Sequence, residues 1–317
     1  MSRWAIMFPG QGSQYVGMGL QLFERYPEAR IVFDEADDAL GYKLSQIIFE
    51  GPEERLRDTE VQQPAILVVS VAAWRAFQSL RPDLPIAVGL GLSLGEYSAY
   101  VAAGVFTLAD AVRLTRIRGR AMQEAVPKGL GGMSAILGLK SHEVENLCEE
   151  ASVVGWVQPA NYNAPGQIVV SGLLSGLARV EERARSMGAR VVRLSVSAPF
   201  HSRLLIPAGA VLSKALGDIR LGQAAFGVLA NVDAALCFNE SEIIPRLITQ
   251  VSHPVQFQQS VERAKAMGVQ GFIEFGPGRS LTSLIKKIDR KQKVFNVEDE
   301  SSLNKALELI QAPGYNS

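Results

Sequence analysis

Cysteine is nearly absent from this chain: two residues in 317, Cys148 and Cys237. Neither belongs to a C-x-x-C pair or a His/Cys cluster, so neither a disulfide framework nor a metal site is expected. Histidine is almost as scarce, at three residues. Net charge is missing altogether, because 32 Lys and Arg balance 32 Asp and Glu. That balance argues against nucleic acid or an anionic membrane as the main partner. There is no uninterrupted apolar run of spanning length. The nearest, "AVGLGLSLGEYSAYVAAGVF", carries Glu96, several glycines and a turn signal, and reads as a buried strand-turn-helix. The opening "MSRWAIMFPGQG" has too few apolar residues before Pro9 to serve as an export signal. A cytoplasmic protein with reduced cysteines is expected.

What is present is ordinary globular material, 47% hydrophobic and 20% charged, enough for a large core. "WAIMF" (4–8) reads as a buried strand running into a Gly-rich loop. Residues 19–49 have helical spacing, and 65–80 form a long apolar helix whose valines would also suit a strand. "PIAVGLG" (85–91) reads as a second strand, with helices over 95–104 and 108–126. Alternation of this kind predicts a parallel α/β sheet. The middle differs. Strand 133–139, helix 141–152, strands in "GWVQPANYN" and "GQIVVSG", helix 173–188 and strand 189–197 follow the β-α-β-β-α-β order of a ferredoxin-like unit. The prediction is an α/β-hydrolase-like large subdomain (1–127 and 198–317) carrying an inserted ferredoxin-like small subdomain (128–197). Further strands are expected in "FGVLANV" (226–232) and "GFIEFGPG" (271–278), and "QAPGYNS" reads as a frayed end.

G-x-S-x-G occurs once, as Gly91-Leu92-Ser93-Leu94-Gly95. The bare pattern is weak, but an apolar strand precedes it and a helix follows, as a nucleophile elbow requires. The turn would lift Oγ from the sheet and set Ser93 at a helix N-terminus, where developing negative charge is favoured. The simpler reading is a serine that caps a helix. A nucleophilic hydroxyl needs a base. His142 sits in the first turn of a helix, and His253 precedes Pro254 in an extended segment. His201, in "SVSAPFHSRLL", lies where the chain re-enters the large subdomain, and it leads among the three. No acid suits a triad, since Asp110 and Glu124 fall on helices; a backbone carbonyl can fix the imidazole tautomer instead. "FPGQGSQ" lacks the third glycine of a dinucleotide loop and the Gly-Lys-Ser/Thr of a phosphate loop. Its backbone N–H groups, with Gln11 beside the serine, could serve an oxyanion.

"FPGQGSQYVGMG", "GLSLGEYSA", "RGRAMQEAVPKG", "NYNAPGQIVVSG", "PFHS", "NVDA", "HPVQF" and "IEFGPGRSL" occur in that order. Together they resemble the malonyl-CoA:acyl carrier protein transacylases and the related acyltransferases of polyketide synthases, from about residue 4 to residue 290. The resemblance implies a ping-pong acyl-serine mechanism with Ser93 as nucleophile and His201 as base. It implies an oxyanion hole from the N–H groups of Gln11 and Leu94, and a main-chain carbonyl at Gln250 holding the histidine. No cofactor or metal is implied. The partners would be malonyl-CoA and a phosphopantetheinylated acyl carrier protein. Arg118 would grip the malonyl carboxylate, and a planar guanidinium gives that group two charge-assisted hydrogen bonds. Read without the resemblance, Arg118 is one of four arginines (113, 116, 118, 120) on a solvated helix.

Two pocket positions depart from the family pattern. Leu92 stands where a histidine usually precedes the nucleophile, as in free-standing polyketide acyltransferases. Phe200 stands where many fatty-acid members have serine, a bulk associated with malonyl over methylmalonyl. Two other functions fit the same chain: an editing hydrolase of acyl carrier proteins, and a non-catalytic carrier-protein docking module. Carrier proteins of this kind are acidic, so "IKKIDRKQK" could offer a basic rim through Lys286, Lys287, Arg290, Lys291 and Lys293. A solvated helix end explains it equally well.

Overall fold

The computed structural model describes residues 3–196 and 198–311. Among the described residues, ten strands are distributed over two sheets. The larger sheet holds β1 (Trp4–Phe8), β2 (Ile86–Gly91), β7 (Val228–Leu229), β8 (Leu236–Cys237), β9 (Gly271–Phe275) and β10 (Lys293–Val297), in the order β10-β9-β1-β2-β7-β8. All its pairings are parallel except β7 with β8. Every residue of β1 and β9 is buried, as a parallel sheet covered on both faces demands, and their sequences are accordingly apolar without alternation.

The helix Thr59–Leu80 is buried over most of its length. That burial explains why its sequence is apolar all round and hides the helical period. It begins earlier than the apolar run suggests and takes in Gln62, Gln63 and Pro64. Residues 19–49 resolve into three helices, Leu20–Arg25, Pro27–Leu40 and Leu44–Glu50.

The smaller sheet is antiparallel, in the order β4-β5-β3-β6, with β3 (Gly131–Leu137), β4 (Val157–Ala164), β5 (Gln167–Leu173) and β6 (Arg190–Arg193). The helices Ser141–Ala151 and Leu174–Ser186 share a separate apolar core with it, built around Ile136, Val144, Leu147, Ile168 and Val180. This is the ferredoxin-like order. The sheets are tied where Val255 pairs with β4: its N–H donates to Ala160 O (2.8 Å) and its carbonyl accepts from Tyr162 N (2.9 Å).

Two strands are shorter than their sequences suggest. Strand 189–197 reduces to β6, four largely exposed residues on the sheet edge. Strand 226–232 reduces to the two residues of β7, because Asn231 is drawn into side-chain bonding instead. Ser197 and the tail from 312 lie outside the described residues. Among the described residues no helix is long and apolar enough to cross a membrane.

Candidate active site

β1 and β2 are neighbours, and their C-terminal ends carry the Gly-rich loop and the serine turn. Crevices of this kind are where parallel sheets bind ligands. Close contact there needs glycine. A Cβ on Gly95 would lie 2.0 Å from Phe8 O, and one on Gly10 would lie 2.5 Å from Leu92 O. The two loops therefore press backbone against backbone. Ser93 sits between strand and helix with φ 55° and ψ −103°, a left-handed conformation that a non-glycine residue adopts only when its surroundings force it. Asn231 supplies that force. Its Oδ1 accepts from Ser93 N (2.6 Å) and its Nδ2 donates to Gly91 O (2.7 Å), bracketing the turn.

Ser93 Oγ lies 2.6 Å from His201 Nε2, and His201 Nδ1 lies 2.9 Å from the Gln250 carbonyl oxygen. A carbonyl only accepts, so Nδ1 carries the proton and Nε2 is left to take the one on Ser93. His201 is itself left-handed, at φ 57°. Its N–H donates to Val251 O (3.1 Å), and its carbonyl accepts from Gln158 Nε2 of the small sheet (3.3 Å). Burial, then the positive charge of Arg118, lowers the imidazole pKa to about 4. It is a neutral base at ordinary pH. Among the described residues, neither His142 nor His253 is hydrogen-bonded to Ser93; His253 Nδ1 lies 3.1 Å from Thr249 O.

Arg118 is fully buried, whereas Arg113, Arg116 and Arg120 on the same helix are exposed. Its Nη1 donates to Gln63 Oε1 (2.8 Å), and its Nη2 to Gln250 Oε1 (2.8 Å) and Ser93 Oγ (3.0 Å). The guanidinium also lies over the Tyr97 ring, 5.2 Å from its centre, a favourable cation–π placement. Every group it bonds is neutral, and the cation faces Ser93 Oγ. The site thus brings Ser93, His201, Arg118 and Gln250 into one connected cluster.

Gln11 and Leu92 line a cavity of about 470 Å³ with Gly10, Asn163, Gln167 and Lys287. The Gln11 side chain bonds Gln62 (2.6 Å) and Gln63 (3.4 Å). Leu94 opens its helix, and among the described residues its N–H has no acceptor. Phe200 is buried in the main core beside His201 and is not among the walls of that cavity. A groove of about 560 Å³ runs along the outer face of the arginine helix, between Arg113, Arg116 and Arg120; Ser93 takes no part in it. Of the basic rim, Lys286 Nζ is spent on the carbonyls of Arg290 and Gln292 (3.3 and 2.8 Å). Lys287 bonds Gln167 Oε1 (2.6 Å) at the cavity edge.

Sequence reasoning passed over Gln63, Glu96 and Asn231 as site residues. Their one signal was polarity in the wrong place. Gln63 interrupts an apolar helix, and Glu96 lies in the first turn of another. Glu96 is fully buried, and burial raises its pKa to about 7 against the hydrogen bonds from Gln250 and Asn231 and the charge of Arg118.

A family model described as an acyl transferase domain matches residues 6–304. The malonyl CoA-acyl carrier protein transacylase of Bacillus subtilis is 42% identical over the whole of both chains. A crystal structure of acyl-carrier-protein S-malonyltransferase from Burkholderia pseudomallei superposes with TM-score 0.94 at 41% identity, covering 97% of this chain and 100% of that one. A type II PKS acyl-carrier protein in complex with its malonyl-transacylase is also similar. There the TM-score is 0.94 at 40% identity, covering 97% of this chain and 99% of the other.

Proposed function

The chain belongs to the acyl transferase domain family, and we propose on that footing that it moves a malonyl group from malonyl-CoA to the phosphopantetheine thiol of an acyl carrier protein. The observation that carries the reading is the buried cluster itself: a nucleophile–base pair at 2.6 Å with a cation, Arg118, at 3.0 Å from the same oxygen. Malonyl is a small acyl group that brings a carboxylate to that cation.

Ser93 gives its proton to His201 Nε2 as Oγ attacks the thioester carbonyl. The N–H groups of Gln11 and Leu94 take the oxyanion. The CoA sulfur leaves with the proton from His201, and malonyl-Ser93 remains. The carrier thiol then gives its proton to His201 and attacks the ester, and Ser93 recovers its hydroxyl as the acyl group departs. The malonyl carboxylate displaces Gln63 and Gln250 from the guanidinium and takes two parallel bonds. An acetyl group leaves that site without its anion, which is a basis for rejection. Leu92 gives the cavity an apolar wall, and Phe200 supports the His201 loop from the core. The thioester arm enters along the cavity past Lys287. We divide the chain at 127/128 and 197/198, with the small subdomain supplying Gln158 to the histidine. The reaction is assigned to the cytoplasm, as part of fatty acid or polyketide synthesis.

Intact-mass spectrometry tests this. Incubation with malonyl-CoA should add one malonyl group, stable in water and discharged by a holo carrier protein. Ser93→Ala should carry none. A malonyl adduct on Ser93→Ala would remove the serine from the mechanism, and rapid discharge in water alone would mark a hydrolase.

A further inference from the structure

Glu96 has no part in the scheme above, yet it is a fully buried carboxyl directly behind the cluster. Its Oε2 accepts from Asn231 N (3.0 Å) and from Gln250 Nε2 (2.7 Å). Among the described residues its Oε1 has no partner. Arg118 Nη2 only donates and the Ser93 carbonyl only accepts, so the Gln250 amide turns its oxygen toward Arg118 and its nitrogen toward Ser93 O (3.0 Å) and Glu96 Oε2. Asn231, the second group that Glu96 holds, brackets the serine turn through Ser93 N and Gly91 O.

We propose that Glu96 is a positioning residue for acyl selection: it fixes the Gln250 carboxamide so that a neutral oxygen, easily displaced by a carboxylate, occupies Arg118 until substrate arrives. The inference rests on the malonyl reading of Arg118. It has an electrostatic consequence as well. Ionised Glu96 and the incoming carboxylate are both anions acting on the one Arg118 guanidinium, so ionisation of Glu96 and binding of the carboxylate disfavour each other. Protonation of Glu96 should favour malonyl. Of the other groups facing it, burial holds Tyr97 up at about 12, Tyr100 well above its ordinary value and Cys237 at about 11. Asp233, on the loop between β7 and β8, is paired with Arg246 (2.9 Å). His201 titrates near 4.

The test is the ratio of kcat/KM for malonyl-CoA to that for acetyl-CoA, measured from pH 6 to pH 8.5; the ratio cancels effects common to both substrates, including titration of the base. A coupling of one pKa unit makes the ratio fall about tenfold across this range. Glu96→Gln keeps an acceptor oxygen but cannot ionise, and its ratio should be flat with pH while still favouring malonyl. Glu96→Leu keeps the bulk without the acceptor, and its malonyl preference should collapse while Glu96→Gln retains it. An unchanged pH slope in Glu96→Gln overturns the proposal, as does full malonyl preference in a folded Glu96→Leu protein. Arg118→Ala run alongside separates the two readings. If it abolishes malonyl preference while Glu96→Gln leaves the slope intact, the role of Glu96 alone fails. If Arg118→Ala leaves the preference in place, the malonyl assignment of Arg118 fails first.

Discussion

Replacing Arg118 with alanine should separate malonyl from acetyl loading. The guanidinium makes two bonds to amide oxygens, at 2.8 Å each, that a substrate carboxylate would inherit. Hydrogen bonds to charged groups are worth about 1.5–3 kcal/mol each, so the malonyl transition state loses about 3–6 kcal/mol. That is a fall of about 10²- to 10⁴-fold in kcat/KM, toward the lower end if water enters the vacated space. Acetyl makes neither bond. It loses only the 3.0 Å contact of Arg118 with Ser93 Oγ, a single bond of the same kind, about 10- to 10²-fold. Arg118→Lys should fall between, since one ammonium cannot hold two carboxylate oxygens in plane. The assay is initial-rate formation of acyl-enzyme by intact mass, with malonyl-CoA and acetyl-CoA in parallel. Equal losses for the two acyl groups would mean that Arg118 holds the site together without reading the substrate.

The state of the base can be checked through the same loading reaction. Because burial and Arg118 lower His201 to about 4, the imidazole is neutral above that value, and acetyl loading should keep its base as pH falls to about 5. Removing Arg118 takes away one lowering influence, so the acid limb of Arg118→Ala should move upward; an acid limb between pH 6 and 7 in the parent enzyme would contradict the burial argument. Gly95→Ala forces a Cβ to within 2.0 Å of Phe8 O, and should cost about 3 kcal/mol, near the top of the overpacking range; an unchanged urea midpoint would show that the helix can slide off β1 freely. Lys287→Glu, at the cavity edge, should raise the KM for an acidic carrier protein at low salt and lose most of that effect at 0.5 M salt; a salt-independent change would point to local packing instead.

The sequence exposed the elements whose pattern is local. "WAIMF" reads as a buried strand, and "PIAVGLGLSLGEYSAY" reads as strand, tight turn and helix because of its glycines. The ferredoxin-like order was readable because its helices are amphipathic and its strands are separated by turn residues. Two apolar stretches pair less than their sequences suggest: only the four largely exposed residues of β6 pair in the first, and in the second strand pairing ends where Asn231 turns to Glu96 and Ser93. The burial of Arg118 could not be read from its helix, which carries arginines at 113, 116, 118 and 120. Helical spacing separates Arg118 from the others only after one knows which face meets the Gln63 helix. Gln63, Glu96 and Asn231 were illegible for a related reason. Each acts through a partner 55 to 135 residues away, and no local pattern encodes such a pairing.

The missing triad acid has a physical explanation in the same cluster. A carboxylate on His201 Nδ1 would hold the imidazole as well as the Gln250 carbonyl does, but it would bring a full negative charge into the low-dielectric space around Arg118. The imidazole pKa would rise, which would cost neutral base near pH 7. The guanidinium would also gain an anion, which would lower its affinity for the substrate's carboxylate. A peptide carbonyl fixes the same tautomer with a dipole alone. Gln63 and Gln250 hold Arg118 by the same logic, with oxygens that bond without neutralising. Glu96 is the one carboxyl in the cluster, and it is set behind Gln250, at the far end of an amide. On the proposed reading, Arg118 therefore presents toward Ser93 a positive charge whose full anionic partner comes from the substrate, and acyl selection and base strength at His201 follow from the same choice of amides over acids.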